Sequence, residues 1–214
     1  MMKQVIQLGL RLMLFALGAG LLLSGANAIT AGPIAQRESE AIDQACAELV
    51  AADAYIDLYD EAGSLAADLA MLPMPEGMIS VYAAANGYDQ AKSISLMTGF
   101  KGFVMQTEVQ GYGGAVRLMV GVDAGGSVTG LRLLSHSETP GLGAKASSSD
   151  FLNQFAGKTG PTLSIVKQPP TQAREVQAIT GATITSTAVT GGVEQALAFS
   201  ASLTEQLRKV GVLP

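Results

Sequence analysis

The run Phe103-Val104-Met105-Gln106-Thr107-Glu108-Val109-Gln110 decides the fold class, together with Gly111-Tyr112-Gly113-Gly114 and Val116-Arg117-Leu118-Met119-Val120-Gly121-Val122-Asp123 that follow it. Phe103, Met105, Thr107 and Val109 alternate with Val104, Gln106, Glu108 and Gln110. Val116, Leu118, Val120 and Val122 alternate with Arg117, Met119, Gly121 and Asp123. A period of two marks β-strand, because successive side chains point to opposite faces of a sheet. The glycines between the runs supply one turn. Asp123-Ala124-Gly125-Gly126 supplies a second, after which Val128 to Leu134 returns. Three consecutive strands joined by tight turns predict an antiparallel sheet.

The flanking sequence changes period. Thr185 to about Leu207 places Val189, Val193, Ala196, Leu197 and Leu203 on one side of a helix, with Gly191-Gly192 weakening its second turn. Phe151 to Ala156 reads as a short helix and Leu163 to Lys167 as a strand. On the other side, Ala35 to about Leu58 reads as a helix through Ala45, Leu49 and Ala52, with Cys46 as a small core residue. Leu72 to Gly77 is a loop, and Ile79 to Ala85 is a strand. The predicted architecture is α+β, an antiparallel sheet covered by helices.

From Leu12 to Ile29 no residue is charged, and most are Leu, Ala, Phe, Met or Gly. A bilayer core needs about 20 apolar helical residues, which this run approaches once Arg11 snorkels and Val5 to Leu10 join it. One transmembrane helix therefore precedes the domain. The expected division is 1–29 as a membrane anchor, 30–78 as a helical linker region and 79–214 as the functional domain. Lys3 and Arg11 lie before the apolar run, so the positive-inside rule leaves the N-terminus in the cytoplasm and the domain outside it. Ala26-Asn27-Ala28 also fits a signal-peptide cleavage site, an alternative in which the anchor is removed.

The composition narrows the chemistry. One Cys and one His leave no intrachain disulfide and no Cys/His cluster for zinc, haem or iron–sulfur ligation. Any redox role needs an organic cofactor. From Thr30 onward 11 basic residues face 18 acidic ones, a net of −7, which argues against nucleic acid as a partner.

Two segments invite a chemical reading. In His136-Ser137-Glu138-Thr139-Pro140-Gly141-Leu142-Gly143, Pro140-Gly141 fits the centre of a type II turn, because Pro presets φ and Gly supplies a positive one. Gly143 allows close backbone approach to a ligand. In Thr180-Gly181-Ala182-Thr183-Ile184-Thr185-Ser186-Thr187 a hydroxyl-rich run opens an apolar helix. Such a run can cap the helix. It is also well placed for a phosphate, at the unpaired N–H groups and positive dipole end of the first turn. The spacing is neither a Walker A nor a dinucleotide fingerprint.

Thr180-Gly181-Ala182-Thr183-Ile184-Thr185-Ser186 resembles the flavinylation motif of the G subunit of the Rnf electron transport complex, a family of covalent FMN-binding domains. It is also similar to the C subunit of the sodium-pumping NADH:quinone reductase. Glu138 to Gly143 behind His136 resembles a second hallmark of the family, and Gly111 to Gly114 before a Val-rich strand a third. The resemblance implies FMN attached by a phosphoester to Thr183, placed there from FAD by a flavin transferase. It implies that Thr180, Gly181, Ala182, Thr185 and Ser186 shape the phosphate site. Glu138, Thr139, Pro140, Gly141, Leu142 and Gly143 lie against the flavin, and Tyr112 packs near the ring or in the core. His136 is read as structural, and Lys145 as a solvated charge or a flavin contact. One departure stands at Gln177, where relatives often carry Asp.

The implied role is electron relay between subunits of a membrane complex that couples ferredoxin oxidation and NAD reduction to ion transport. The chain is then a relay component rather than a stand-alone enzyme, anchored by a single pass in the cytoplasmic membrane. Its partners are the other membrane subunits. Alternatives are the C subunit of the quinone reductase, an exported binding module in which Thr183 only caps a helix, and a secreted flavin reductase. The last lacks an evident acid–base group.

Overall fold

The computed structural model describes residues 2–59, 72–87 and 99–213. The chain forms two compact units, Met1–Asp43 and Gln44–Pro214. The first is the larger part of helix α1 (Met2–Leu49). Its most apolar window has a mean hydropathy of 1.9, and Leu12, Phe15, Leu22 and Ile29 are exposed along it. Exposed apolar side chains on a helix of this length fit hydrocarbon rather than water.

The second unit is built on a five-stranded antiparallel sheet in the order β1-β2-β3-β4-β5. The strands are β1 (Ala54–Asp57), β2 (Met78–Ala85), β3 (Phe100–Gln110), β4 (Ala115–Asp123) and β5 (Val128–His136). Pairing of Met105 with Val120 and of Val120 with Leu131 sets Phe103, Met105, Leu118 and Val120 on one buried face. After α2 (Ser149–Leu152) come two short parallel strands, β6 (Ser164–Val166) and β7 (Glu175–Gln177), and then the long helix α3 (Thr183–Lys209). Val189, Val193, Leu197 and Leu203 of α3 are buried in the same core as the β3 and β4 side chains. Each such side chain contributes roughly 1.5–3 kcal/mol by leaving water.

On the opposite face of the sheet Val104 and Met119 are fully buried, and Leu49 at the end of α1 lies against the backbone of Gly121 and Gly130. Arg132 and Glu48 pair at 2.7 Å beside it. The α+β reading, its three antiparallel strands and the helices over the sheet all appear.

Boundaries differ from expectation at both long helices. The helix over 35–58 ends at Leu49, it is continuous with the apolar segment, and Pro33 lies inside it. Ala54–Asp57 is an edge strand paired with β2, Ala54 opposite Ala85. Tyr55 explains the break. Its hydroxyl donates to the Val50 carbonyl at 2.7 Å and accepts the Ala52 N–H at 3.2 Å, satisfying backbone groups where the helix stops. Tyr and Ile at 55 and 56 are also strand formers. The second difference is at α3, which opens at Thr183 rather than Thr185.

Candidate functional site

The three motifs converge where β3, β5 and α3 end or begin. The β3–β4 connection Gly111–Gly114 is closed by Gly111 N–H donating to the Gly114 carbonyl at 2.9 Å. After β5, the Leu142 N–H donates to the Thr139 carbonyl at 3.2 Å, and Gly141 has φ +78°. That is the type II turn expected of Pro140-Gly141. A matching turn precedes α3, where Ala182 N–H donates to the Ile179 carbonyl at 2.9 Å and Gly181 has φ +79°. Ala182 then takes the N-cap position, and no side chain caps the helix.

Glu138 ties the three segments together. Its Oε1 accepts the N–H groups of Tyr112 at 2.8 Å and Gly113 at 3.1 Å, and its Oε2 accepts the Thr185 hydroxyl at 2.7 Å. The Glu138 N–H in turn donates to His136 Nδ1 at 3.3 Å. The residue is 6% exposed. Burial pushes the carboxyl's pKa up, but the Thr185, Gly113 and Tyr112 hydrogen bonds and nearby His136 outweigh it and hold Glu138 below its usual value of 4.5. Glu138 is therefore a buried, ionised clasp. Gly143 serves the same contact. A Cβ there would overlap Glu138 Oε2 and come within 2.9 Å of Thr185 Oγ1. The close approach that Gly143 permits is thus to this carboxylate.

The hydroxyl run divides sharply. Thr185 and Ser186 are buried, Thr185 on Glu138, Ser186 accepting the Ile179 N–H at 2.9 Å and donating to the Ala182 carbonyl at 3.0 Å. Thr180, Thr183 and Thr187 are exposed. Thr183 alone of these hydroxyl residues borders two cavities.

The larger cavity, about 430 Å³, is lined by Tyr112, by Glu138, Thr139, Leu142 and Gly143, and by Gly181 to Thr185. Tyr112, Leu142 and Ile184 are 71%, 45% and 57% exposed there, an apolar rim suited to a planar aromatic ring. The volume lies within the roughly 300–1,000 Å³ of small-molecule sites. A second cavity, about 350 Å³, is lined by Lys167, Ala178, Ile179, Thr180, Gly181 and Thr183.

Most of the expected site residues thus meet at one place. Pro140 and Gly141 build a turn without lining either cavity, Ser186 lies buried behind the wall, and Thr180 faces the second cavity. Sequence reasoning missed Ile184 and Lys167. Ile184 carried a signal, being a large apolar residue off the stripe of Val189, Val193 and Leu197. Lys167 carried none. Gln177 ends β7, and the side-chain amide of Gln154 clasps it, accepting its N–H at 2.7 Å and donating to its carbonyl at 3.3 Å.

A family model described as FMN-binding domain matches residues 111–198, a span that contains all three motifs. The G subunit of the Na(+)-translocating ferredoxin:NAD(+) oxidoreductase complex of Acetobacterium woodii is 34% identical over 91% of this chain and 91% of its own length. The chain belongs to this family of G subunits. It is an electron-transport component of an ion-translocating complex, with an FMN-binding domain and the other subunits as partners. Its N-terminal apolar helix fits a single-pass membrane anchor. The G subunit of the proton-translocating ferredoxin:NAD(+) oxidoreductase complex of Clostridium ljungdahlii is 47% identical over 44% of this chain and 51% of its own length. A solved structure of the C subunit of the Na(+)-translocating NADH-quinone reductase of Parabacteroides distasonis is similar at 26% identity and a TM-score of 0.42, over 61% of each chain.

Proposed function

We propose that this protein carries FMN on Thr183 through a phosphoester and relays electrons between its neighbours in the complex, with the domain outside the cytoplasm. One observation carries the reading. In the run 183–186, the Thr185 and Ser186 hydroxyls are spent on internal hydrogen bonds, while Thr183 is exposed and borders the cavity where all three motifs meet. Helix capping does not account for Thr183, because it follows the N-cap position and no side chain caps α3.

In loading, Thr183 Oγ1 gives up its proton and takes the FMN phosphoryl from FAD. The phosphorus–oxygen bond to AMP breaks, and AMP leaves. A flavin transferase performs this step. Gly181 and Ala182 keep the approach to Thr183 clear, and Glu138 holds the walls together. When bound, FMN supplies the electron-carrying ring. Tyr112, Leu142 and Ile184 exclude water around that ring, and the covalent link prevents loss where no cytoplasmic pool can replace it. Lys3 and Arg11 before the apolar helix support the outward orientation.

The test is denaturing electrophoresis of the chain co-expressed with a flavin transferase. Flavin fluorescence should stay with the polypeptide, vanish in Thr183→Ala, and persist in Thr185→Ala and Ser186→Ala variants that fold. Unmodified mass and no fluorescence in protein from the native host would sink the reading.

A further inference from the structure

The two cavities that share Thr183 differ in charge. Among the described residues, the larger one is lined by the buried carboxylate of Glu138 and by no Lys, Arg or His. The smaller one has Lys167 as its one charged lining residue among those described. Lys167 follows directly on β6 and is exposed, and no hydrogen bond or ion pair to another described residue holds its ammonium group.

A phosphodiester is an anion. In the larger cavity it would face Glu138 across a partly water-excluded space, where like charges repel strongly. In the smaller cavity it would face a cation with no competing partner among the described residues. Thr183 and Gly181 border both spaces, so a group attached at Thr183 can place its phosphate in one and its ring in the other. Building on the reading of Thr183 as the flavin carrier, we propose that the smaller cavity is a phosphate subsite in which Lys167 pairs with the phosphodiester. The aromatic ring occupies the larger, apolar-rimmed cavity. Lys167 is then a positioning residue, and its ion pair limits rotation of the linkage about Thr183.

The experiment uses the full-length chain loaded by a flavin transferase. Loading is followed as covalent flavin fluorescence over time, and the linkage is observed through the 31P resonance of the loaded protein. Lys167→Gln should slow loading roughly fivefold, the scale of one lost surface ion pair, or shift the 31P resonance. Lys167→Arg should stay near wild type, and Lys101→Gln, whose residue lines neither cavity, should change neither readout. Either change in Lys167→Gln alone supports the proposal. Wild-type loading with an unshifted resonance overturns it, and so does equal impairment in Lys167→Gln and Lys167→Arg. Covalent flavin that persists in Thr183→Ala overturns the carrier reading and the subsite with it. Flavin that depends on Thr183 and is indifferent to Lys167 overturns the subsite alone.

Discussion

The first turn of α3 shows two uses of neighbouring residues. Thr185 and Ser186 turn inward and are buried, each with its hydroxyl bound to another part of the domain. Thr183 and Ile184, on the other side of the same turn, stay exposed at the larger cavity. Helical geometry makes this division, since positions 185, 186, 189 and 193 share the buried face while 183, 184 and 187 lie off it. The lesson is that one short motif holds both the fastening of the site and its cargo position. Changes to the inward set should act on stability, and changes to the outward set on the flavin.

The most damaging change to the contacts that hold the inward set is Gly143→Ala, on the turn that faces Thr185. Its added methyl would collide with the Glu138 carboxylate, which is pinned by Tyr112, Gly113 and Thr185 and cannot swing aside cheaply. The expected loss is about 2–3 kcal/mol, the upper part of the range of about 1–3 kcal/mol for overpacking a core. Urea unfolding of the unloaded protein measures it. A loss within experimental error of zero would show that the clasp is loose.

Glu138→Gln probes the same clasp with less force. The amide oxygen still accepts the Tyr112 and Gly113 N–H groups, and the Thr185 hydroxyl can rotate to accept from the new amide. The expected cost at neutral pH is about 1 kcal/mol. The pH dependence is more telling. The folded carboxyl lies below its usual value of 4.5, so its contribution is present above that value and is lost as pH falls through the folded pKa. The stability gap between wild type and Glu138→Gln should therefore narrow on acidification. A gap that widens would contradict an ionised clasp.

Much of this was readable in the sequence, and the reason is locality. The alternation from Phe103 to Asp123 and the Pro140-Gly141 turn are fixed by neighbours a few positions apart. The end of α1 was not readable, because Ala45, Leu49 and Ala52 continue a helical pattern past the point where Tyr55 folds back onto Val50. The clasp was hidden as well. Glu138 finds its partners 25, 26 and 47 residues away, and residue type alone does not reveal which way a carboxylate turns. It reads as a ligand contact, and in the fold it borders the larger cavity while its oxygens also accept hydrogen bonds from within the protein. Lys167 was hidden for the same reason, since only the folded chain brings β6 beside Thr183.

Tyr112 carries the smallest expected effect on the fold and tests the outward set most directly. It sits on a tight connection, and its backbone N–H is held by Glu138 while the residue is 71% exposed. Tyr112→Ala keeps the backbone contact and removes only the ring. Unloaded protein should therefore change by less than about 0.5 kcal/mol, as for surface substitutions away from special features. In loaded protein the ring borders the proposed flavin cavity, where an aromatic pair is worth about 0.5–1.5 kcal/mol beyond burial. Removing it should brighten the flavin, because a stacked phenol quenches the excited ring, and should leave the covalent yield unchanged. Loaded Tyr112→Ala with wild-type brightness would place the flavin elsewhere on the outward face. A large fall in stability would move Tyr112 into the inward set and redraw the boundary between fastening and cargo.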